Sequence, residues 1–355
     1  MPKFKVVVQQ TASAKGGVLD NLANDNFEIE REELEVVDAS LVEVPPGTSL
    51  QDYIEIARDA DAIYARGRRI TAEIINDLRK CVVIGNASIG TDAVDVEAAT
   101  DAGIVVTNVP DMFIEEVADH TFALLLASAR RLKLMNNLIH EGRWSEGRPE
   151  FLTIPRLWGQ TLGIVAFGNV GQAVARRAHA FGLHVLAYDP YISELEMTKE
   201  GVEPVSLVEL LERSDFVSMH APLNEETRKM ISVKQFQHMK SSAIYLNNGR
   251  GPTTDENALI DALQSGQIAG AGLDVLETEP ANLENPLLHM TNVVVTPHIA
   301  SASSRMMPET RRRAGREMAT VLSGRWPRSA VNPTVLPRTD LLRWQPYPMS
   351  RGPNR

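Results

Sequence analysis

The sequence predicts an α/β protein built on two parallel sheets, and three features predict it. Short β-branched runs alternate with charged, periodic segments along most of the chain, the pattern of strands covered by helices on both faces. These runs fall into two series, one ahead of about residue 110 and one from about 160 to 296. The second series opens on a strand that enters a glycine turn and then a helix-like segment, the local order of a nucleotide-binding unit.

In the first series the strand candidates are Lys5 to Val8, Ala62 to Ala65, Val82 to Gly85 and Ile104 to Thr107, separated by segments such as Ser49 to Asp59. They form one compact sheet. Next, Ile114 to Leu138 mixes apolar and small residues and reads as a single long helix. Its small-residue face suits a bridge between domains, a dimer interface or an ordinary core position equally. The second series comprises Leu162 to Phe167, His184 to Tyr188, Phe216 to His220, Ala243 to Leu246, Gly270 to Val275 and Val293 to Thr296. Six strands with helices between them is the count of a doubly wound nucleotide-binding domain. A helix over Met307 to Leu322 then returns to the first domain. Residues 331–355, rich in proline and arginine, read as a tail that is poorly ordered or draped over a neighbour. The expected division is therefore a discontinuous domain of residues 1–112 and 300–330, a nucleotide domain of residues 113–299, and that tail.

Composition bounds the function. A chain of 355 residues, 43% hydrophobic and 23% charged, holds two domains of ordinary size. A formal net charge of −10 and only 5% aromatic residues argue against a nucleic-acid partner. The longest apolar stretch, from Phe122 to Ala127, is far short of a membrane span, and no export signal precedes the first strand, so no membrane partner and a cytoplasmic location are expected. Cys81 is the only cysteine, which excludes an internal disulfide; beside Val82 and Val83 it reads as a small buried hydrophobe. His120, His140, His179, His184, His238 and His289 fall at no metal-binding spacing, so no metal is expected.

The glycine turn is Ala166-Phe167-Gly168-Asn169-Val170-Gly171. In such turns the middle glycine lets backbone approach a pyrophosphate, the last permits close helix packing, and the helix start offers amide donors. Ala166 replaces the first glycine. Asp189 lies 18 residues beyond Gly171 at a strand end, where a carboxylate accepts both ribose hydroxyls of NAD and repels a 2′-phosphate. No arginine follows in Pro190-Tyr191, which favours NAD over NADP.

Three further segments follow strands of the second series: Asn247-Asn248-Gly249-Arg250-Gly251, Leu273-Asp274-Val275 through Glu279-Pro280, and Thr296-Pro297-His298-Ile299-Ala300. With the glycine turn, and with Ile89-Gly90-Thr91-Asp92, Glu116-Val117-Ala118-Asp119, Glu141-Gly142-Arg143-Trp144 and His220-Ala221-Pro222-Leu223, they resemble the signature set of the D-isomer-specific 2-hydroxyacid dehydrogenases over about residues 50 to 330. Nearest are the phosphoglycerate dehydrogenase-like and C-terminal-binding-protein-like members. The resemblance implies a flavodoxin-like substrate domain beside the doubly wound NAD domain, with an interdomain cleft. It also implies a homodimer through the helix near Ile114 to Leu138.

Residue by residue, the resemblance implies that Arg250 holds the carboxylate and carbonyl of the substrate, His298 is the acid/base, and Glu279 orients that histidine. Reduction of a 2-keto acid needs a proton donor at the carbonyl oxygen that titrates near neutrality, and histidine suits it. A guanidinium suits the carboxylate because it is permanently charged and forked. Asp274 corresponds to the position that receives the nicotinamide carboxamide. Asn248 and Gly249 lie beside the cofactor, Asn169 and Val170 offer pyrophosphate amides, and His220 with Pro222 flanks the adenine pocket. Backbone amides of Ile89 and Gly90 complete the carboxylate pocket.

The implied activity interconverts a small D-2-hydroxy acid and its 2-keto acid with NAD. Arg66 stands where phosphoglycerate enzymes commonly hold the phosphate, but Asn86 occupies the place of their second arginine, and nothing after residue 330 reads as a regulatory domain. Glyoxylate, hydroxypyruvate or another small 2-keto acid is equally open. Two other readings stand beside it: an NAD(H)-responsive corepressor-like binding module, which Ala166 keeps open, and a formate dehydrogenase on the same scaffold.

Overall fold

A computed structural model describes residues 2–11 and 27–343. The chain divides into two compact units. One comprises the chain up to Met112 and again from Ser304, the other Phe113–Ser303. Both are parallel α/β structures. Among the described residues no helix is long and apolar enough to cross a membrane.

The first unit holds β1 (Phe4–Gln9), β2 (Ala39–Val44), β3 (Ala62–Tyr64), β4 (Val83–Gly85) and β5 (Val105–Thr107), all parallel, in the order β2-β1-β3-β4-β5. This is the flavodoxin-like order expected of it. The sheet has five strands where four were expected. β2 escapes a search for apolar runs because it is an edge strand: Ser40 and Glu43 are only partly covered, while Leu41 and Val44 are buried. The helix Met306–Leu322 packs on this sheet, and a side chain at Gly85 would meet the Met318 side chain at 2.5 Å. Glu30, fully buried on the helix Glu28–Glu35, is held by the Arg311 guanidinium at 2.5–3.0 Å. Cys81 is buried as expected. Burial pushes its thiol up to about 12, so it is no nucleophile at neutral pH.

The second unit contains β6 (Thr161–Val165), β7 (His184–Tyr188), β8 (Glu203–Pro204), β9 (Phe216–Met219), β10 (Ile244–Asn247), β11 (Gly270–Leu273) and β12 (Val293–Val295). Their order, β12-β11-β10-β9-β6-β7-β8, reverses direction between β6 and β9, as a doubly wound sheet does. The two-residue β8 adds a seventh strand to the six expected; a strand that ends in proline at the sheet edge leaves no periodic signal.

Two expectations need correction. The segment Ile114 to Leu138 is two helices, Ile114–Ala129 and Leu132–His140, because Arg131 takes a left-handed backbone at φ 52°. The bend is fixed by Lys133, whose ammonium donates to the carbonyls of Met290 and Val293 at 2.8 and 2.9 Å. On the first of these helices Leu124 and Ser128 lie against the space a side chain at Gly272 would fill. The tail is also ordered over residues 331–343. Asn332 accepts from the Val106 N–H and donates to Thr100 Oγ1 and Ile104 O, each at 2.9 Å, and so closes the edge of β5. Residues 344–355 of that tail lie outside the described residues.

Asn332→Ala strands the buried Val106 amide and Ile104 carbonyl, and is expected to cost about 2 kcal/mol or more. Urea midpoints measure it; a loss under about 0.5 kcal/mol would show that this amide does not secure β5.

Candidate active site

The glycine turn is built as its sequence requires, with one strained residue. Ala166 leaves β6 at φ 74°, the left-handed conformation a glycine would adopt freely, and its N–H donates to Tyr188 O at 2.8 Å. Gly171 is obligatory, since a Cβ there would stand 2.6 Å from Ala166 O. Gly168 caps the helix Asn169–Ala180 and faces open space, with nothing within 4 Å of where a Cβ would stand. A helix start beside a bare backbone suits an anion. Asp189, at the tip of β7, accepts the Phe167 N–H on one oxygen and the Tyr191 N–H on the other, both at 2.8 Å. Those bonds tie the carboxylate to the glycine turn.

Buried polar atoms beside this turn are left without partners. His220 follows β9; its Nε2 meets Ser218 Oγ at 2.8 Å while Nδ1 has no hydrogen-bond partner among the described residues. Burial pushes the imidazole down to about 4, so it is neutral at pH 7. Asn248, after β10, is buried with neither its Oδ1 nor its Nδ2 bonded. An unmet buried polar atom costs about 1–3 kcal/mol, and polar groups of a ligand remove that cost. Such atoms follow β9 and β10 at the sheet edge from which the glycine turn after β6 also leaves, where a polar ligand would meet them. Pro222 lies on the loop after β9, where its carbonyl accepts from Thr227 Oγ1 at 2.6 Å.

Strands β10, β11 and β12 run in register, with Asn247, Leu273 and Val295 level. The loops bearing Arg250, Asp274 with Glu279, and His298 therefore leave one sheet edge side by side. Asn247 organises the first loop: its Oδ1 accepts the Gly249 N–H at 3.0 Å, and its Nδ2 donates to Arg250 O and Thr254 Oγ1. Gly249 runs close to the loop after β9, with Ala221 O 3.1 Å from where a Cβ would stand. A Cβ at Gly251 would lie 1.8 Å from Leu276 O, so the first and second loops touch backbone to backbone. The Arg250 side chain leaves from this contact, one nitrogen donating to Gly249 O at 2.9 Å.

His298 and Glu279 are brought together. Imidazole Nδ1 lies 2.7 Å from Glu279 Oε2, and Glu279 Oε1 accepts the Leu276 N–H at 3.1 Å. With the Nδ1 proton directed to the carboxylate, Nε2 is the nitrogen presented outward; the side chain is 48% exposed. Asp274 is different in kind. Its carboxylate is almost wholly buried and accepts from Thr296 Oγ1 at 2.6 Å, Ile299 N–H at 2.9 Å and Ala300 N–H at 2.8 Å.

The remaining expected residues belong to the first unit. The Ile89 and Gly90 carbonyls accept from Asn108 Nδ2 and Asn86 Nδ2, each at 2.7 Å. Arg66 sets one guanidinium nitrogen 3.9 Å from the buried Glu30 and stacks over Phe27. Among the described residues no group of three or more His, Cys, Asp or Glu is arranged to hold a metal. Asn247, Thr296 and His120 were not singled out from sequence; the first two sit inside the quoted motifs, where Asn247 precedes the Asn-Gly-Arg-Gly turn directly.

Residues 122–300 match the model of the D-isomer specific 2-hydroxyacid dehydrogenase NAD-binding domain. The chain belongs to this family. Its second unit is accordingly an NAD-binding domain. A glyoxylate reductase of Korarchaeum cryptofilum is 43% identical over 83% of this dehydrogenase-family chain and 89% of its own. A D-3-phosphoglycerate dehydrogenase of Methanocaldococcus jannaschii is 39% identical over 86% of this chain, which spans 58% of that protein's length. Among solved structures, a glyoxylate reductase from Paecilomyes thermophila superposes with a TM-score of 0.78, 28% identity, and coverage of 93% and 98% of the two chains. D-Lactate dehydrogenase from Aquifex aeolicus, complexed with NAD and lactic acid, gives 0.75 at 26% identity, covering 90% and 96%.

Ala166 supplies a test of the turn. A β-branched side chain suffers more than alanine at positive φ, so Ala166→Val is expected to lower stability by about 1 kcal/mol or more, while Ala166→Gly holds or raises it. Urea unfolding measures both; a valine variant as stable as the parent would show that this residue is not held left-handed.

Proposed function

We propose that the protein is an NAD-dependent dehydrogenase that interconverts a small 2-keto acid and the corresponding D-2-hydroxy acid. The observation that carries this reading is the 2.7 Å pair of His298 Nδ1 and Glu279 Oε2, on loops level with that of Arg250 at the cofactor edge of the sheet. When bound, the nicotinamide supplies or accepts the hydride at substrate C2. His298 Nε2 gives the proton to the carbonyl oxygen in reduction and takes it from the hydroxyl in oxidation. Glu279 keeps the ring in the tautomer and orientation this needs, and its own second oxygen is pinned by the Leu276 amide. Arg250 engages the substrate carboxylate and polarises its carbonyl.

The cofactor residues follow the sheet edge. Asn169 and Val170, with the bare backbone of Gly168 and Gly171, receive the pyrophosphate. Asp189 takes the ribose hydroxyls, His220 and Pro222 flank the adenine, and Asn248, Gly249 and Asp274 lie toward the nicotinamide. In the first unit, asparagine side chains hold the carbonyls of Ile89 and Gly90, and the amides of these two residues are the donors we assign to a substrate carboxylate.

A substrate without phosphate fits best. Arg66 is the one cation of these two positions, because Asn86 is neutral with its amide committed to Gly90 O, so a phosphate dianion would meet a single arginine here. This favours glyoxylate or hydroxypyruvate over phosphohydroxypyruvate and makes a phosphate-binding role for Arg66 the weaker reading. Ala166 adopts the backbone of the glycine it replaces, so it does not favour a corepressor-like module over an enzyme. We also read the protein as a cytoplasmic homodimer.

Arg250→Ala and His298→Ala are each expected to lower kcat/KM for glyoxylate by about 10³-fold. NADH binding, followed by fluorescence, is expected to persist in both. Keto-acid reduction at the parent rate in either variant rejects the assignment. Across a panel of 2-keto acids, phosphohydroxypyruvate is expected to be a poorer substrate than glyoxylate; the reverse order would restore the phosphate reading.

A further inference from the structure

The helix Ile114–Ala129 does more than fill the core of the second unit. Glu116 and His120 are four residues apart and so share one face of it. Glu116 Oε1 accepts from Ser303 Oγ at 3.0 Å, and His120 Nε2 lies 2.9 Å from Thr296 Oγ1. Thr296 and Ser303 bracket the segment that carries His298. The same helix face therefore ties that segment at both ends.

The bond to Thr296 has a definite direction. The Thr296 hydroxyl has one proton, and its 2.6 Å contact with Asp274 Oδ1 uses it, because an ionised carboxylate only accepts. The oxygen is left to accept from His120, which fixes the Nε2–H tautomer of that ring. Beyond the hydroxyl, Asp274 clamps the N–H groups of Ile299 and Ala300 with its carboxylate and the N–H of His298 with its main-chain oxygen at 2.8 Å. His298 is held at φ 53°, a conformation costly for a residue with a Cβ, which persists only where surrounding bonds over-determine it.

We propose that His120 is a positioning residue for His298, acting through Thr296 and Asp274, and that Glu116 anchors the far end of the same segment. The chain of bonds sets where the imidazole stands, while Glu279 sets how it is turned. This inference rests on the reading of His298 as the acid/base. It adds to that reading a histidine that touches neither Glu279 nor His298 and whose substitution changes the chemical step.

The test uses the full chain, with kcat and KM for glyoxylate reduction and a separate NADH affinity from fluorescence. Thr296→Val removes the hydroxyl at nearly constant volume and is expected to lower kcat by about 10- to 100-fold, because misplacement of a reacting group by about 1 Å costs that much. NADH affinity is expected to stay within about threefold, since phosphate and ribose contacts are made elsewhere. Thr296→Ser, which keeps the hydroxyl, restores most of the rate. His120→Phe, which removes both the Thr296 bond and a 3.5 Å contact of His120 Nε2 with Asp274 Oδ1, lowers kcat at least as much as Thr296→Val, and the double variant is no worse than His120→Phe. A Thr296→Val enzyme with parental kcat, alongside an inactive His298→Ala, overturns this inference and leaves the acid/base assignment standing. An active His298→Ala overturns both. Should Thr296→Val fail to bind NADH, the comparison of His120→Phe with His120→Gln, whose amide can donate to Thr296, decides in its place: equal loss in both, or loss in neither, overturns the proposal.

Discussion

The register of β10, β11 and β12 is the constraint on which the candidate site depends. Parallel strands place all their carboxyl ends at one edge, and level pairing of Asn247, Leu273 and Val295 makes the following loops start together. A slip of one residue would turn every side chain to the opposite face and separate Arg250 from the loops of Glu279 and His298. Contact between the Gly251 backbone and Leu276 O removes the remaining freedom, since no side chain fits between those two loops.

Polar satisfaction divides this edge into parts that hold the structure and parts that wait for ligand. Asp274 is buried and accepts from Thr296, Ile299 and Ala300, so its charge helps hold a turn. Glu279, also a carboxylate, is 38% exposed and gives one oxygen to His298. Opposite to both, His220 Nδ1 and the Asn248 amide are buried without partners among the described residues. Where the chain has met its hydrogen bonds a residue orients others; where it leaves bonds unmet, a polar ligand would complete them. The same principle governs Lys133, whose ammonium is spent on main-chain carbonyls and whose pKa burial lowers.

Family membership narrows the chemistry without choosing the substrate. One scaffold serves the glyoxylate, phosphoglycerate and lactate enzymes it resembles, so selection falls to few side chains. The two positions weighed for a phosphate are Arg66, 3.9 Å from a Glu30 already held by Arg311, and Asn86, whose amide donates to Gly90 O.

Much of this protein was determined by its sequence alone. Alternating β-branched runs specify two parallel sheets, because strands covered on both faces must be apolar throughout. The glycine turn, Asp189, Arg250, Glu279 and His298 lie in segments that the family resemblance picks out, each just after a strand of the second sheet. Tertiary structure decided what depends on partners distant in the chain. Lys133 and the left-handed Arg131 break one apparent helix into two; Asn332 orders a proline-rich segment by reaching β5, more than 220 residues earlier. β2 pairs with the edge of β1 although Ser40 and Glu43 interrupt its apolar residues. The role of His120 likewise arises only when the helix bearing it meets Thr296, 176 residues on. Local periodicity records which face of an element is buried. It does not record what that face touches, and the direction of a hydrogen bond or the neutralisation of a charge is set by that contact.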